Sequence, residues 1–373
     1  MVLFWFLLTT LIIVAIQQVL FRRFSFKGLE YSRKFVSRTC FQDDETMLVE
    51  TLSNKKRLPI PWMYVESSLE ASLQFSNQDN FSVSAGSHYQ NHQSYFTLSS
   101  YQRIKRTHTL IPRRRGLYQL QTVTLTSGDL LGLTRQTKKI PLNSQLTVYP
   151  KPLELPLDHL PSHSWQGDQI VKRFILPDPF LTAGTRPYMY GDSLKSVNWK
   201  ATARTGGLQV HQYEFTASRK LLIIVNVDDH EGMWKVVSNV DQIEWCINAA
   251  AGISKQAIEQ GMECGFAANM RSLDQASSTW IAPARGEGHW YVILEQMSKL
   301  LLDRTEALHE MLLRYAEEWL THHDLLIISS YWNEAGEQAA EQLRQQQNAV
   351  LVLRADELYE YSGNKEQGKE AVG

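Results

Sequence analysis

Several clusters in this chain hold residue types that can do chemistry. Gly191-Asp192-Ser193-Leu194 carries a serine beside an acid. Serine becomes a nucleophile when a histidine takes its proton and a carboxylate holds that histidine. This block lies mid-chain and follows no apolar strand, which speaks against catalysis by Ser193. Gly363-Asn364-Lys365-Glu366-Gln367-Gly368-Lys369-Glu370 nearly spells a phosphate-binding loop. It lacks the closing Ser or Thr that holds magnesium, and it sits in a polar tail with no strand before it and no helix after it. His322 and His323, with His309, are expected near a helix end, where cationic side chains complement the helix dipole. Arg103, Lys105, Arg106, Arg113, Arg114 and Arg115 form a basic cluster near Tyr101 and Tyr118. Edge-strand charges that block aggregation are the simplest account of it. Attraction to anionic lipid is the second account, and nucleic acid the weakest. A net charge of -1 provides no global field for nucleic acid. Cys40, Cys246 and Cys264 are far apart and odd in number, which fits reduced thiols better than a metal set or a disulfide framework.

The elements that would position these residues fall into distinct regions. Met1 to Phe21 has no charged side chain and is almost wholly apolar, long enough to cross a bilayer as a helix. Basic residues Arg22, Arg23 and Lys27 follow it rather than precede it. A cleaved signal has the reverse order, so a membrane anchor with the carboxyl side in the cytoplasm is expected. Phe24 to Arg38 mixes aromatic and basic residues and reads as a membrane-surface segment or a plain connector. Short strands rich in aromatic and β-branched residues, such as 47–52, 95–98, 117–125 and 146–149, predict a β-sandwich-like domain over 45–150. Residues 151–218 read as a linker and a signature segment. From Arg219, buried strands (221–227, 264–268, 324–330, 349–353) alternate with helices (241–260, two within 290–320, 334–347). That alternation predicts an α/β domain over 219–357 with a parallel-type sheet covered on both faces, followed by a flexible tail at 358–373.

The signature runs from Arg186 through Tyr188, Gly191, Asp192, Trp199, Lys200, Ala203 and Arg204 to Leu208, Val210 and Glu214. A Gly-Asp turn, a Trp, an Ala-rich turn ending in Arg and a strand stand directly before an apolar run. This order resembles the signature of the bacterial family known as domain of unknown function 58. Arg115-Gly116-Leu117-Tyr118 and Ser127-Gly128-Asp129-Leu130-Leu131-Gly132-Leu133 resemble two further turns of that family, whereas Pro187 departs from its usual acidic residue. The resemblance implies a von Willebrand factor A-like α/β domain. Such folds often carry a metal site after the first strand, built as Asp-x-Ser-x-Ser from oxygen ligands that suit a hard cation. Here the corresponding place reads Asp228-Asp229-His230-Glu231-Gly232, with both serines missing, so a strand-end turn is the expected reading and Asp228 the one magnesium candidate. Esterases that carry Gly-Asp-Ser-Leu place Asp three residues before their catalytic His, and no histidine here has that neighbour.

The signature has two readings. In one it joins domains: Asp192 braces the turn, Trp199 plugs the gap, and Arg186 or Arg204 pairs with a buried carboxylate. In the other, Arg186, Tyr188, Gly191, Asp192, Trp199, Lys200 and Arg204 face a partner. No catalytic residue and no cofactor are expected. The resemblance also implies partners, a MoxR-type AAA+ ATPase and a membrane transglutaminase-like protein, beside the lipid bilayer itself. The expected function is therefore a non-enzymatic adaptor or scaffold at the bacterial cell membrane, crossing it once. A cation-dependent protein-binding module and a hydrolase using Ser193 are the alternatives.

Overall fold

An uncharged apolar run satisfies its backbone most simply by coiling, and Val2–Phe24 forms one helix, α1, long and apolar enough to cross a membrane. It continues one turn beyond the expected end at Phe21. Thr9 and Thr10 hide their hydroxyls by donating to the Phe6 carbonyl, both at 2.9 Å. The computed structural model describes residues 2–76, 81–85, 89–155, 182–189, 197–213, 220–318 and 320–355. They fall in two units, Met1–Lys151 and Pro152–Gly373.

After α1 the first unit consists of strands β1 (Leu29–Phe35), β2 (Thr39–Phe41), β3 (Thr46–Asn54), β4 (Ile60–Glu70), β5 (Leu73–Phe75), β6 (Phe81–Ala85), β7 (Tyr89–Leu98), β8 (Arg103–Pro112), β9 (Gly116–Gly128) and β10 (Arg135–Tyr149). They form a sheet of order β1-β3-β8-β5 and another of order β2-β10-β9-β4-β7-β6. Leu52 from the first sheet packs with Met63, Phe96 and Leu125 from the second, so the two sheets share one core. Within Phe24 to Arg38, Leu29–Phe35 is thus neither a membrane-surface segment nor a connector but strand β1, with Tyr31 and Phe35 buried between the sheets.

Part of the core is polar. Glu50 accepts from the Tyr31 hydroxyl at 2.6 Å and lies 3.6 Å from His108 Nε2, while Arg33 donates to Ser67 Oγ. Burial pushes the Glu50 carboxyl up, but the bonds from His108 and Tyr31 and the Arg33 charge outweigh it and hold the group below its usual range. His92 stacks on Phe75 at 4.1 Å and is pushed down to about 3, by burial first and then by the Arg33 and His108 charges. The basic cluster is split rather than joined: Arg103 begins β8, and Arg113 to Arg115 lie beyond its other end.

The second unit holds β11 (Thr182–Pro187), α2 (Trp199–Thr205), β12 (Gln209–Tyr213), β13 (Lys220–Val225), α3 (Val240–Glu259), β14 (Cys264–Ser272), β15 (Gln275–Ala284), α4 (Glu287–Lys299), β16 (Leu300–Arg304), α5 (Leu308–Glu317), β17 (His323–Ser329), α6 (Glu334–Gln345) and β18 (Ala349–Arg354). Its main sheet has the order β15-β14-β13-β17-β18, with β16 beside β14. Strands β14, β13, β17 and β18 run parallel. The sheet is nevertheless mixed, because β15 and β16 join β14 antiparallel. Leu222 and Ile224 face Met311, Leu312 and Leu343 of α5 and α6. Their neighbours Leu221, Ile223 and Val225, fully buried, must point to the other face, where α3 packs. The chain just after Lys151 lies on α3: Leu153 N–H donates to the Asn248 carbonyl at 3.1 Å. His322 and His323 are not on a helix. α5 ends at Glu317, His322 has φ 60°, and His323 opens β17.

Candidate functional site

In an open α/β sheet, ligands and partners gather where the strand order reverses, outside the carboxyl ends of the strands. Here β14 and β17 leave β13 in opposite directions, so that point lies after Val225. Three short polar side chains knit it together. Asn226 Nδ2 donates to Ser329 Oγ at 2.8 Å, and Asn269 Oδ1 accepts from the Val227 N–H at 2.8 Å. Asn269 Nδ2 in turn donates to Asn226 Oδ1 at 3.0 Å and to Asp228 Oδ1 at 3.2 Å.

Asp228 is a brace within this network. Its Oδ2 accepts from the Leu308 N–H at 3.1 Å, at the start of α5, and its Oδ1 lies 3.7 Å from Arg304 Nη1. Burial raises its pKa, and the Leu308 bond, the Arg304 charge and the Asn269 bond offset that only in part. Both Asp228 oxygens thus already accept bonds from protein donors. Among the described residues no group of three or more His, Cys, Asp and Glu side chains is arranged to hold a metal.

The next residue organises a loop. Asp229 accepts from the Asn239 N–H at 3.0 Å and from the Ser238 N–H, closing the base of residues 229–239. Burial pushes its carboxyl up, but those two backbone bonds and His230 hold it below its ordinary range. From the other side, Arg304 Nη1 donates to the Met233 carbonyl at 2.6 Å and Arg304 N–H to the Lys235 carbonyl at 3.1 Å. The loop is tied down by its backbone, yet it holds Trp234 86% and Val236 75% exposed. Two large apolar side chains held out of a braced loop fit binding better than packing. Sequence reading passed over them because an isolated Trp and Val among polar residues carry no periodic signal.

A cavity of about 630 Å³ is lined in part by Thr305 and Glu306, both bonded to Asn269 of the network. Arg314 crosses its wall, bonded to Glu306 at 2.6 Å and to Ser278 at 3.0 Å, and Tyr315 meets Trp280 edge to face with ring centroids 5.0 Å apart. Burial raises the Tyr315 pKa, leaving a neutral phenol. Among the described residues no histidine, lysine or cysteine lines this space, and its carboxylates Glu306 and Glu318 are both paired with Arg314, so its serines have no free base beside them. The thiols are no better as nucleophiles: burial pushes Cys40 up to about 11 and Cys246 up to about 12.

The signature forms a compact local motif. β11 and β12 pair antiparallel, α2 lies between them in sequence, and Val197 and Val210 are buried. Asn198 caps α2 by accepting from the Ala201 N–H at 3.0 Å, Gly206 ends it with φ 73°, and Thr202 Oγ1 accepts from the Gln209 N–H at 3.0 Å. Tyr188 donates its N–H to the Leu208 carbonyl at 2.9 Å. Arg186 donates to the Pro187 carbonyl at 3.2 Å, and Lys200 and Arg204 are exposed on α2. Trp199 is 68% exposed. Gly191, Asp192, Ser193 and Glu214 lie outside the described residues.

The chain thus joins an apolar helix and a β-sandwich-like region to an α/β unit that carries this motif. Residues 184–352 match a family model described as "Protein of unknown function DUF58". An uncharacterized protein, YeaD of Bacillus subtilis (strain 168), is 21% identical over 235 residues, or 63% of this chain. The chain spans only 56% of that relative's length. Among solved structures, the CARDB domain of the PF1109 protein from Pyrococcus furiosus is 13% identical with a TM-score of 0.19, over 31% of this chain and 91% of that one. A non-cellulosomal cohesin from Archaeoglobus fulgidus is 10% identical with a TM-score of 0.23, over 32% and 91%.

Proposed function

We propose that this protein is a non-enzymatic adaptor anchored in the bacterial cell membrane by α1. Its two units would lie in the cytoplasm, and its von Willebrand factor A-like α/β unit would dock a MoxR-type AAA+ ATPase. A membrane transglutaminase-like protein is the second partner this reading allows. The observation that carries it is the braced loop 229–239, whose backbone bonds to Asp229 and Arg304 hold Trp234 and Val236 in solvent at the strand-order reversal. Arg22 and Arg23 at the end of α1 support the cytoplasmic orientation, since positive flanks are retained on that side. The cation-dependent reading has less support, because donors already occupy both oxygens of Asp228.

Affinity purification of the tagged full-length chain from detergent extracts tests the docking. The ATPase should copurify with the wild-type chain and be lost from a Trp234→Ala/Val236→Ser variant of unchanged thermal stability. A folded wild-type chain that brings down no ATPase refutes the pairing. Equal recovery with the variant refutes this loop as the contact.

A further inference from the structure

The β9–β10 hairpin projects a cluster of leucines beside the membrane helix. Leu130, Leu131 and Leu133 at its tip are 63%, 57% and 60% exposed. The tip is not loose. Asp129 Oδ1 accepts from the Thr134 N–H at 2.9 Å, Trp62 Nε1 donates to the Asp129 carbonyl at 2.8 Å, and Gly132 turns the chain at φ 71°. Three leucines held outward by a closed turn leave most of their apolar surface uncovered.

Two hydrogen bonds fix how far the tip reaches along α1. Gln136 donates to the Arg22 carbonyl, and Gln17 Nε2 donates to Asp129 Oδ2 at 3.1 Å. From Arg22 to Gln17 the helix rises about 7.5 Å toward its apolar end, five residues at about 1.5 Å each. The hairpin therefore runs alongside the last turns of α1 and ends beyond the arginines, level with the apolar stretch. A hydrocarbon core needs about 20 helical residues to cross. If α1 from Val2 to Phe21 fills it, whatever is bonded to Gln17 lies inside the boundary.

The same end of the sandwich is basic. The β3–β4 and β7–β8 turns meet there, with Tyr101 N–H donating to the Lys56 carbonyl at 3.2 Å. Arg22, Arg23, Lys27, Arg57, Arg103 and Arg135 are all exposed around it. Glu30 is paired with Lys55 at 2.6 Å, and Asp129 is buried by its bonds. A ring of cations around an apolar tip complements anionic headgroups over acyl chains.

We infer that the hairpin tip Leu130–Leu133 is a second membrane contact, inserted into the headgroup–acyl boundary of an anionic bilayer beside α1. It sets the β-sandwich upright on the membrane instead of leaving it on a free tether. This rests on α1 crossing the bilayer, and the test separates the two claims. Full-length protein carrying Cys40→Ser is labelled with an environment-sensitive fluorophore at Leu131→Cys, Ile12→Cys or Glu45→Cys. It is then reconstituted in phosphatidylcholine–phosphatidylglycerol vesicles with or without nitroxide-labelled lipid. Glu45 precedes β3 and lies at the far end of the sandwich, about 30 Å away at about 3.3 Å per strand residue. Shallow nitroxides should quench the Leu131 label several-fold and leave the Glu45 label unchanged, while deep nitroxides quench the Ile12 label. Quenching at Ile12 with the Leu131 label as bright as that at Glu45 overturns the inference and leaves the anchor standing. No quenching at Ile12 overturns both.

Discussion

Asp228 shows how the meaning of one residue depends on its partners. As the acid after a first strand it resembles a metal ligand; in place it joins β13, β14 and α5 through Asn269, Leu308 and Arg304. Asp228→Ala leaves those donors without an acceptor and should cost about 2–4 kcal/mol in urea unfolding, since stranded buried polar groups carry their full desolvation penalty. Magnesium should leave the melting temperature of the wild-type chain unchanged; stabilisation that Asp228→Ala abolishes would restore the cation reading. In the β unit, His92 is the group expected to set acid sensitivity between pH 7 and pH 5. Its folded pKa of about 3 lies below the ordinary value near 6.5. The unfolded chain therefore binds the extra proton first, and the neutral ring's contribution is complete above about pH 6.5 and drains away as pH falls toward 3. Glu50, also depressed, adds loss in the same direction, beginning as pH falls through the ordinary carboxylate range. His92→Leu should flatten the fall in thermal midpoint between pH 7 and pH 5, measured by circular dichroism. An unchanged slope would show that His92 is not the titrating group.

At the scale of elements, short segments do most of the positioning. The loop 229–239 is held from Asp229 and Arg304 and not by its own apolar residues. Trp234→Ala should therefore shift stability by no more than about 0.5 kcal/mol. As a buried hot spot in a complex it should weaken partner binding on the order of 30-fold, about 2 kcal/mol. The segment after Lys151 approaches α3 so closely that a Cβ on Gly252 would sit 1.9 Å from the Leu153 carbonyl oxygen. Gly252→Ala must push backbone apart and should cost about 1–3 kcal/mol, despite alanine's better helix propensity. Stabilisation by this change would show that the contact does not form. Strongly periodic or wholly apolar elements were legible from sequence: α1, β13, α3, β17, α6 and β18 lie within a few residues of their expected places. Strand β1 was not, because Arg33 points inward to Ser67 and breaks the apolar alternation that marks a strand. Strands β15 and β16 escaped notice because one is a polar, exposed edge and the other is five residues between two helices. The candidate site was half legible: its acids and Asn226 stand together at a strand end, but Asn269 and Arg304, which hold Asp228, come from distant sequence.

For the whole molecule, the account turns on where its first helix lies. A docking loop at the sheet's reversal point and leucines beside the helix acquire their roles only if α1 is in lipid and both units are in the cytoplasm. In the proposed reading, Arg22 and Arg23 directly after the apolar run are what would keep that side cytoplasmic. The direct measurement is fractionation of cells expressing the full-length chain with a carboxyl-terminal tag, combined with alkaline carbonate washing and protease treatment of spheroplasts. The account predicts that the chain stays in the washed membrane and that the tag is cut only after the membrane is broken. A chain released by carbonate, or a tag cut in intact spheroplasts, would contradict it.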